Sequence, residues 1–159
     1  MSQKSLSKWL KAIIGGMGIC GAFIYLYIIP ILGRDLVDAR PEYTSWYFPW
    51  LAVVLVSAIP CYWGLYFGWK ISTEIGKDNS FSMENAEYLK NISILAALDS
   101  LYFFVANVVF MVINMNHPGV FLISLIVVFI GVAVTVAAAA LSHLVRKAAE
   151  IQQENELTI

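Results

Sequence analysis

Asp99 is the residue best placed to do chemistry in this chain, because it is a carboxylic acid inside an otherwise apolar run. The stretch AALDSLYFFVANVVFMVINMN, residues 96 to 116, also carries Asn107 and Asn114. An ionised carboxylate at the centre of a bilayer costs about 2.5–3.5 kcal/mol on insertion scales. No Lys or Arg lies within the apolar runs to offset it. Two uses remain. The acid is carried neutral, hydrogen-bonded to groups such as Ser57, Tyr62, Ser100 or Thr135, at about 0.6 kcal/mol per interhelical bond. Otherwise it meets water or a cationic ligand in a cavity. At about 100° per helical residue, Asn107 is offset from Asp99 by about 80° and Asn114 by about 60°. The spacing therefore predicts one intramembrane polar side made of Asp99, Asn107 and Asn114, turned toward neighbouring helices.

Other chemistry is sparse. Neither a phosphate-cradling glycine loop nor a catalytic serine or cysteine constellation is present in the sequence. Cys20 and Cys61 sit in apolar runs without metal-ligand spacing and read as small packing residues. His117 lies beside Pro118, and His143 lies near the end of the last apolar run; both read as interfacial residues. No enzyme, cofactor or metal site is expected. A net charge of -1 argues against direct nucleic-acid binding.

The elements that must hold Asp99 follow from composition. Of 159 residues, 60% are hydrophobic and 13% charged, with a mean hydropathy of +0.74. A soluble domain of this size cannot hide so much apolar surface, so the chain reads as an all-α integral membrane protein. A bilayer core needs about 20 apolar residues per helix, and four runs qualify, near 12–33, 45–69, 91–113 and 120–141. The first follows Lys4, Lys8 and Lys11 but is too long for a signal peptide, so it reads as an uncleaved anchor. Pro30 and Pro60 are expected to kink their helices or end them early. Small residues at spacing four, Ala12–Gly16–Cys20 and Gly131–Thr135–Ala139, mark close helix approach within the chain or between two copies in a homo-oligomer.

Orientation follows from the basic residues. With the N terminus inside, eight of the ten Lys and Arg are cytoplasmic, as the positive-inside rule favours. Both termini, the 70–90 loop and the 142–159 tail are then cytoplasmic, and His117 is external. Tyr43, Trp46, Tyr47, Phe48 and Trp50 cluster where an outer interfacial belt belongs, and Trp9 and Trp69 sit at inner ends.

Helices 2, 3 and 4 are expected to outrun the bilayer into the cytoplasm. Gly76 is a candidate C-cap. Ser82 can cap a new helix, Glu84 suits its positive end, and Phe81 can staple to Ala86. From Met83 to Ile113 nothing breaks the helix, which makes it about 46 Å long against a core of roughly 30 Å. The last helix continues as SHLVRKAAEIQQEN, with Leu144, Ala148 and Ile151 on one stripe.

FSMENAEYLKNIS, residues 81 to 93, and AAEIQQENELTI, residues 148 to 159, resemble the domain of unknown function 2975 family, small bacterial membrane proteins with four spans. The likeness in layout covers nearly the whole chain and is specific in those two stretches. The family has no established activity, so the resemblance implies no reaction. It implies a context: such genes often neighbour one for a very short helix-turn-helix regulator.

Three functions therefore compete. One is a membrane-anchored regulator or sensor of the bacterial cell membrane. Its cytoplasmic docking residues would be Phe81, Glu84, Asn85, Leu89, Glu150, Glu154 and Glu156, and its partner a small helix-turn-helix protein. The second is a small oligomeric transporter or channel using Asp99. The third is an assembly protein whose environment is simply the lipid bilayer.

Overall fold

The computed structural model describes residues 2–157, with side chains as far as Asn155. The described residues are helical almost throughout. α1 (Gln3–Phe23) passes through a widened turn (Ile24–Ile28) into α2 (Ile29–Ala39). α3 spans Thr44–Gly76, α4 Met83–Val112 and α5 Pro118–Leu157. Four helical stretches are long and apolar enough to cross a membrane: Gln3–Ala39, Pro41–Gly76, Met83–Val112 and Pro118–Asn155. All four exceed the apolar runs read from sequence. α5, with 40 residues, is about 60 Å long, twice a hydrocarbon core.

Neither Pro30 nor Pro60 ends its helix. Pro30 removes one backbone donor, and its ring would meet the carbonyl one turn back. The chain widens there instead: the Ile29 N–H reaches the Ile24 carbonyl, five residues back, a local π-turn. α3 runs unbroken through Pro49 and Pro60.

Two ends are closed by the same device. Asp78 (φ 64°) and Asn114 (φ 57°) adopt left-handed backbone. After α3, the Asn79 N–H bonds to the Glu74 carbonyl and the Asp78 N–H to the Ile75 carbonyl. After α4, the Met115 N–H bonds to the Phe110 carbonyl and the Asn114 N–H to the Met111 carbonyl. These are Schellman caps. Gly76, the expected cap, is instead the last helical residue of α3, because the left-handed position falls at Asp78. The expected Ser82 cap is present, its Oγ accepting from the Asn85 N–H at 3.2 Å.

The membrane helices pack in sequence order as an open row: α1 on α3, α3 on α4, α4 on α5. Among the described residues α1 comes within 8 Å of neither α4 nor α5, so the helices do not close into a ring. Ser7 Oγ donates to the Ser72 carbonyl at 2.6 Å and Ser142 Oγ to the Ala86 carbonyl at 2.7 Å. These bonds place the N terminus, the 77–82 loop and the α5 extension at one end. At the other, the Trp50 indole donates to the Met115 carbonyl at 2.9 Å.

The interior is made of small residues. The buried apolar side chains among the described residues are Ala86, Ala138 and Ala149, while large ones such as Ile19, Leu26, Val112 and Phe129 face outward. That inversion suits lipid, where large apolar groups lose nothing by facing the solvent and close backbone approach supplies the packing. In α4, Ala86, Ser93, Ser100 and Asn107 recur every seven residues and are all buried. α5 answers with Ser124, Ala138, Ser142 and Ala149. A 3.5-residue average period gives the shallow, left-handed crossing of a coiled coil. The row on α5 thus includes Ala138, not the exposed Ala139. A seam of mean period 3.5 drifts away from a strict spacing of four. The Ala12–Gly16–Cys20 row is exposed on the outer face of α1, and a Cβ on Gly16 would meet nothing within 4 Å.

Candidate functional site

Asp99 lies on the side of α4 that meets α3. Its Oδ2 accepts from the Cys61 thiol at 3.7 Å, and the Tyr25 hydroxyl donates to Cys61 Sγ at 3.9 Å. A polar thread therefore crosses three helical segments. Tyr25 reaches it from the π-turn that accommodates Pro30. Asp99 Oδ1 is shielded and has no hydrogen-bond partner.

The four hydroxyls expected to meet Asp99 are committed elsewhere. Ser57 donates to the Val54 carbonyl, Ser100 to the Ala96 carbonyl, Thr135 to the Gly131 carbonyl, and Tyr62 across to the Gly18 carbonyl of α1. The serines and Thr135 satisfy themselves on their own helix, a bond available at three or four residues back. Cys61 went unread as a partner because a lone thiol in an apolar run carries no distinctive spacing.

Asn107 and Asn114 do not join Asp99. An offset of about 80° is enough to carry a side chain to the next interface. Asn107 is 1% exposed and meets Asn116 in the turn before α5. Its Nδ2 donates to the Phe103 carbonyl at 2.8 Å, which leaves its Oδ1 to accept from Asn116 Nδ2 at 3.2 Å. Asn116, in the turn before α5, is thus the buried amide partner. Asn114 is exposed and serves as the left-handed cap of α4.

At the end that carries both termini, the docking residues divide. Phe81 is 58% exposed and Glu84 is exposed. Asn85 is 1% exposed, and its Nδ2 donates to the Asn79 and Ser80 carbonyls at 3.2 and 3.0 Å. It folds the loop and offers no docking surface. Leu89 is half-buried. On α5, Ser142 and Ala149 face α4, while Leu144 and Ile151 are 61% and 59% exposed. The apolar stripe read from sequence therefore points away from the helix pair. Arg146 reaches Glu87 across the two helices at 3.5 Å. Glu150 and Glu154 are exposed, and the Glu156 side chain lies outside the described residues.

Two cavities lie at opposite ends of the molecule. One of about 320 Å³ lies between the 79–84 segment and α5, bordered by Phe81, Met83, Glu84, Ala149, Gln152 and Gln153. The other, about 610 Å³, lies at the opposite end between α2, α3 and the turn into α5. Asp99 borders neither.

Residues 31–159 match the family described as protein of unknown function DUF2975. The chain belongs to this family. It is 28% identical over 153 residues to the uncharacterized membrane protein YoaS of Bacillus subtilis (strain 168), covering 95% of this chain and 96% of that one. No solved structure matches. With four membrane-crossing helices and a membrane relative of the same length, the chain is a multi-pass protein of the bacterial membrane.

Proposed function

We propose that this protein is a membrane-anchored regulator whose cytoplasmic face docks a small helix-turn-helix transcription factor. The observation that carries the reading is the groove between the 79–84 segment and α5, with the exposed Phe81 and Met83 on its border. The groove lies beside the parts of α4 and α5 that outrun a roughly 30 Å core. Large apolar side chains exposed to water beside a groove suit a protein partner. Charge supports a DNA-binding one. Glu150, Glu154 and Glu156 follow Arg146 and Lys147, so the tail beyond them carries acidic charge alone, and an acidic segment attracts the basic face that reads phosphate. The choice of a helix-turn-helix partner rests on the gene neighbourhood implied by the family resemblance. The cytoplasmic placement rests on the basic-residue count.

The test is co-purification of the neighbouring regulator in gentle detergent, with transcription of its targets as a second readout. Phe81→Ser with Met83→Ser, and separately removal of residues 150–159, should each weaken capture by about tenfold, the scale of a lost apolar anchor. Unchanged capture and transcription in both variants, at normal membrane levels, would refute the reading.

A second reading, a small oligomeric transporter or channel, is favoured by the Tyr25–Cys61–Asp99 thread. It expects Asp99→Asn to abolish ion or proton flux in liposomes while leaving stability intact. The docking reading expects Asp99→Asn to leave partner capture unchanged.

A further inference from the structure

The larger cavity lies at the end of the molecule away from the proposed docking face. One wall is α2 down to Ile29, with Arg40 just past its end, and the other is α3 down to Val54, with Tyr43 just before its start. The helical part of each wall covers ten residue steps, about 15 Å along the axis, which is one leaflet of a roughly 30 Å core. Polarity changes along that depth. The deep part is Ile29, Leu32, Leu51 and Val54, whereas the mouth carries Arg40 and His117. No carboxylate borders the cavity among the described residues. Arg40 contacts Glu42 at 3.5 Å, and both side chains are more than 60% exposed, so this pair is weak and leaves the guanidinium available. α5 also begins at the mouth, with Val120 on the cavity wall. The first turn of α5 is largely self-satisfied, since Pro118 has no N–H and the Gly119 and Phe121 N–H groups donate to His117 Nδ1 and its carbonyl, so the guanidinium is the group that meets an anion. Fixed groups shape the wall: the Trp50 indole is anchored on the Met115 carbonyl, and the Tyr47 ring lies against Gly33 with its hydroxyl donating to the Pro30 carbonyl at 3.4 Å.

We propose that this cavity binds one anionic phospholipid, with the phosphate at Arg40 and one acyl chain between α2 and α3. A positive mouth over an apolar slot one leaflet deep matches both halves of such a molecule. A volume of about 610 Å³ lies within the range of small-ligand sites. The proposal is independent of what docks at the other end.

The test uses the full chain in nanodiscs of equal phosphatidylglycerol and phosphatidylcholine, released into gentle detergent for native mass spectrometry. One phosphatidylglycerol per chain should remain bound in preference to phosphatidylcholine. Arg40→Gln, on the exposed rim where folding is not at stake, should lower that retention about tenfold, the value of one charge-assisted bond. Val54→Trp, which fills the deep end, should lower retention of either lipid. Lys147→Gln, a charge removed from the opposite end, should leave it unchanged. Equal retention of the two lipids, or phosphatidylglycerol retained by Arg40→Gln as by the parent chain, overturns the proposal. Loss in Lys147→Gln equal to that in Arg40→Gln overturns it too, since binding would then follow net charge.

Discussion

At the scale of single residues, the polar groups divide by what satisfies them. Asn107 and Asn116 form a buried amide pair at the α4–α5 seam, each making contacts the other needs. Replacing Asn107 removes the shorter bond from Asn116 Nδ2 and leaves it only the 3.4 Å bond to the residue-107 carbonyl; weakening a buried amide's bonding costs about 1–3 kcal/mol. Asn107→Leu is therefore expected to lower detergent stability by roughly that amount. Asn114→Gly should be near neutral, because Asn114 is exposed and glycine also accepts its left-handed backbone. Thermal unfolding followed by circular dichroism decides it: equal losses in the two variants would contradict the assignment. The sequence reading grouped Asn107 and Asn114 with Asp99, whereas Asn107 meets Asn116. Asn114 and Asn116 differ by two residues across a helix end, and helical geometry cannot be extrapolated past a cap.

At the scale of elements, the α4–α5 seam depends on side chains small enough for the backbones to approach. A Cβ added at Gly131 would run into Ser100 Oγ and come within 3.3 Å of Ser100 Cβ. Gly131→Ala is expected to cost about 1–3 kcal/mol, as overpacking does. Ser100→Ala in the same chain should recover part of it by removing the oxygen but not the Cβ contact. Full independence of the two substitutions in a double-mutant cycle would argue against this close approach. The spans and the Ser82 cap were readable from apolar length and capping chemistry. The seam was not, because its period of seven is written in Ser, Ala and Gly, which hydropathy barely distinguishes from the alanine-rich outer face. The α3 cap has its own electrostatics. Lys77 lies 2.7 Å from Glu74, and with the Asn79 amide it holds the Glu74 carboxyl below the usual range, while Glu74 in turn pushes the Lys77 ammonium upward. A lowered carboxylate stabilises the fold above its unfolded pKa of about 4.3, and that contribution is lost as pH falls through the lower folded value. The raised Lys77 contributes fully below about pH 10.4 and fades as pH rises through its higher folded value. The Asn79 amide, bonded to the Glu74 carbonyl, should therefore exchange faster in Glu74→Gln than in the parent at pH 6–9. That difference should vanish well below pH 4, and a difference unchanged at low pH would mean the carboxylate is not its source.

At the scale of the whole molecule, an even number of crossings and the contacts at each end put Ser7, Ser72, Ala86 and Ser142 on one side and Pro30, Trp50 and Met115 on the other. That arrangement fixes which segments are together but not which compartment they face. The open row explains why the sequence could supply the spans without their packing: among the described residues each membrane helix packs on its chain neighbours, so no long-range pattern was needed to bring them together. The charge count supplies the expectation for the compartment: eight of the ten Lys and Arg belong to the end with both termini, and cytoplasmic retention of basic segments is the general bias. The expected topology therefore has Ser80 inside and His117 outside. In a background where Cys20 and Cys61 are replaced by Ala, an impermeant thiol reagent on intact cells should label His117→Cys and leave Ser80→Cys unlabelled until the membrane is opened. Labelling of position 80 but not 117 would invert the molecule. The groove beside Phe81 would then face away from the cytoplasm, removing any route to a DNA-binding partner and turning the Arg40 cavity toward the inner leaflet.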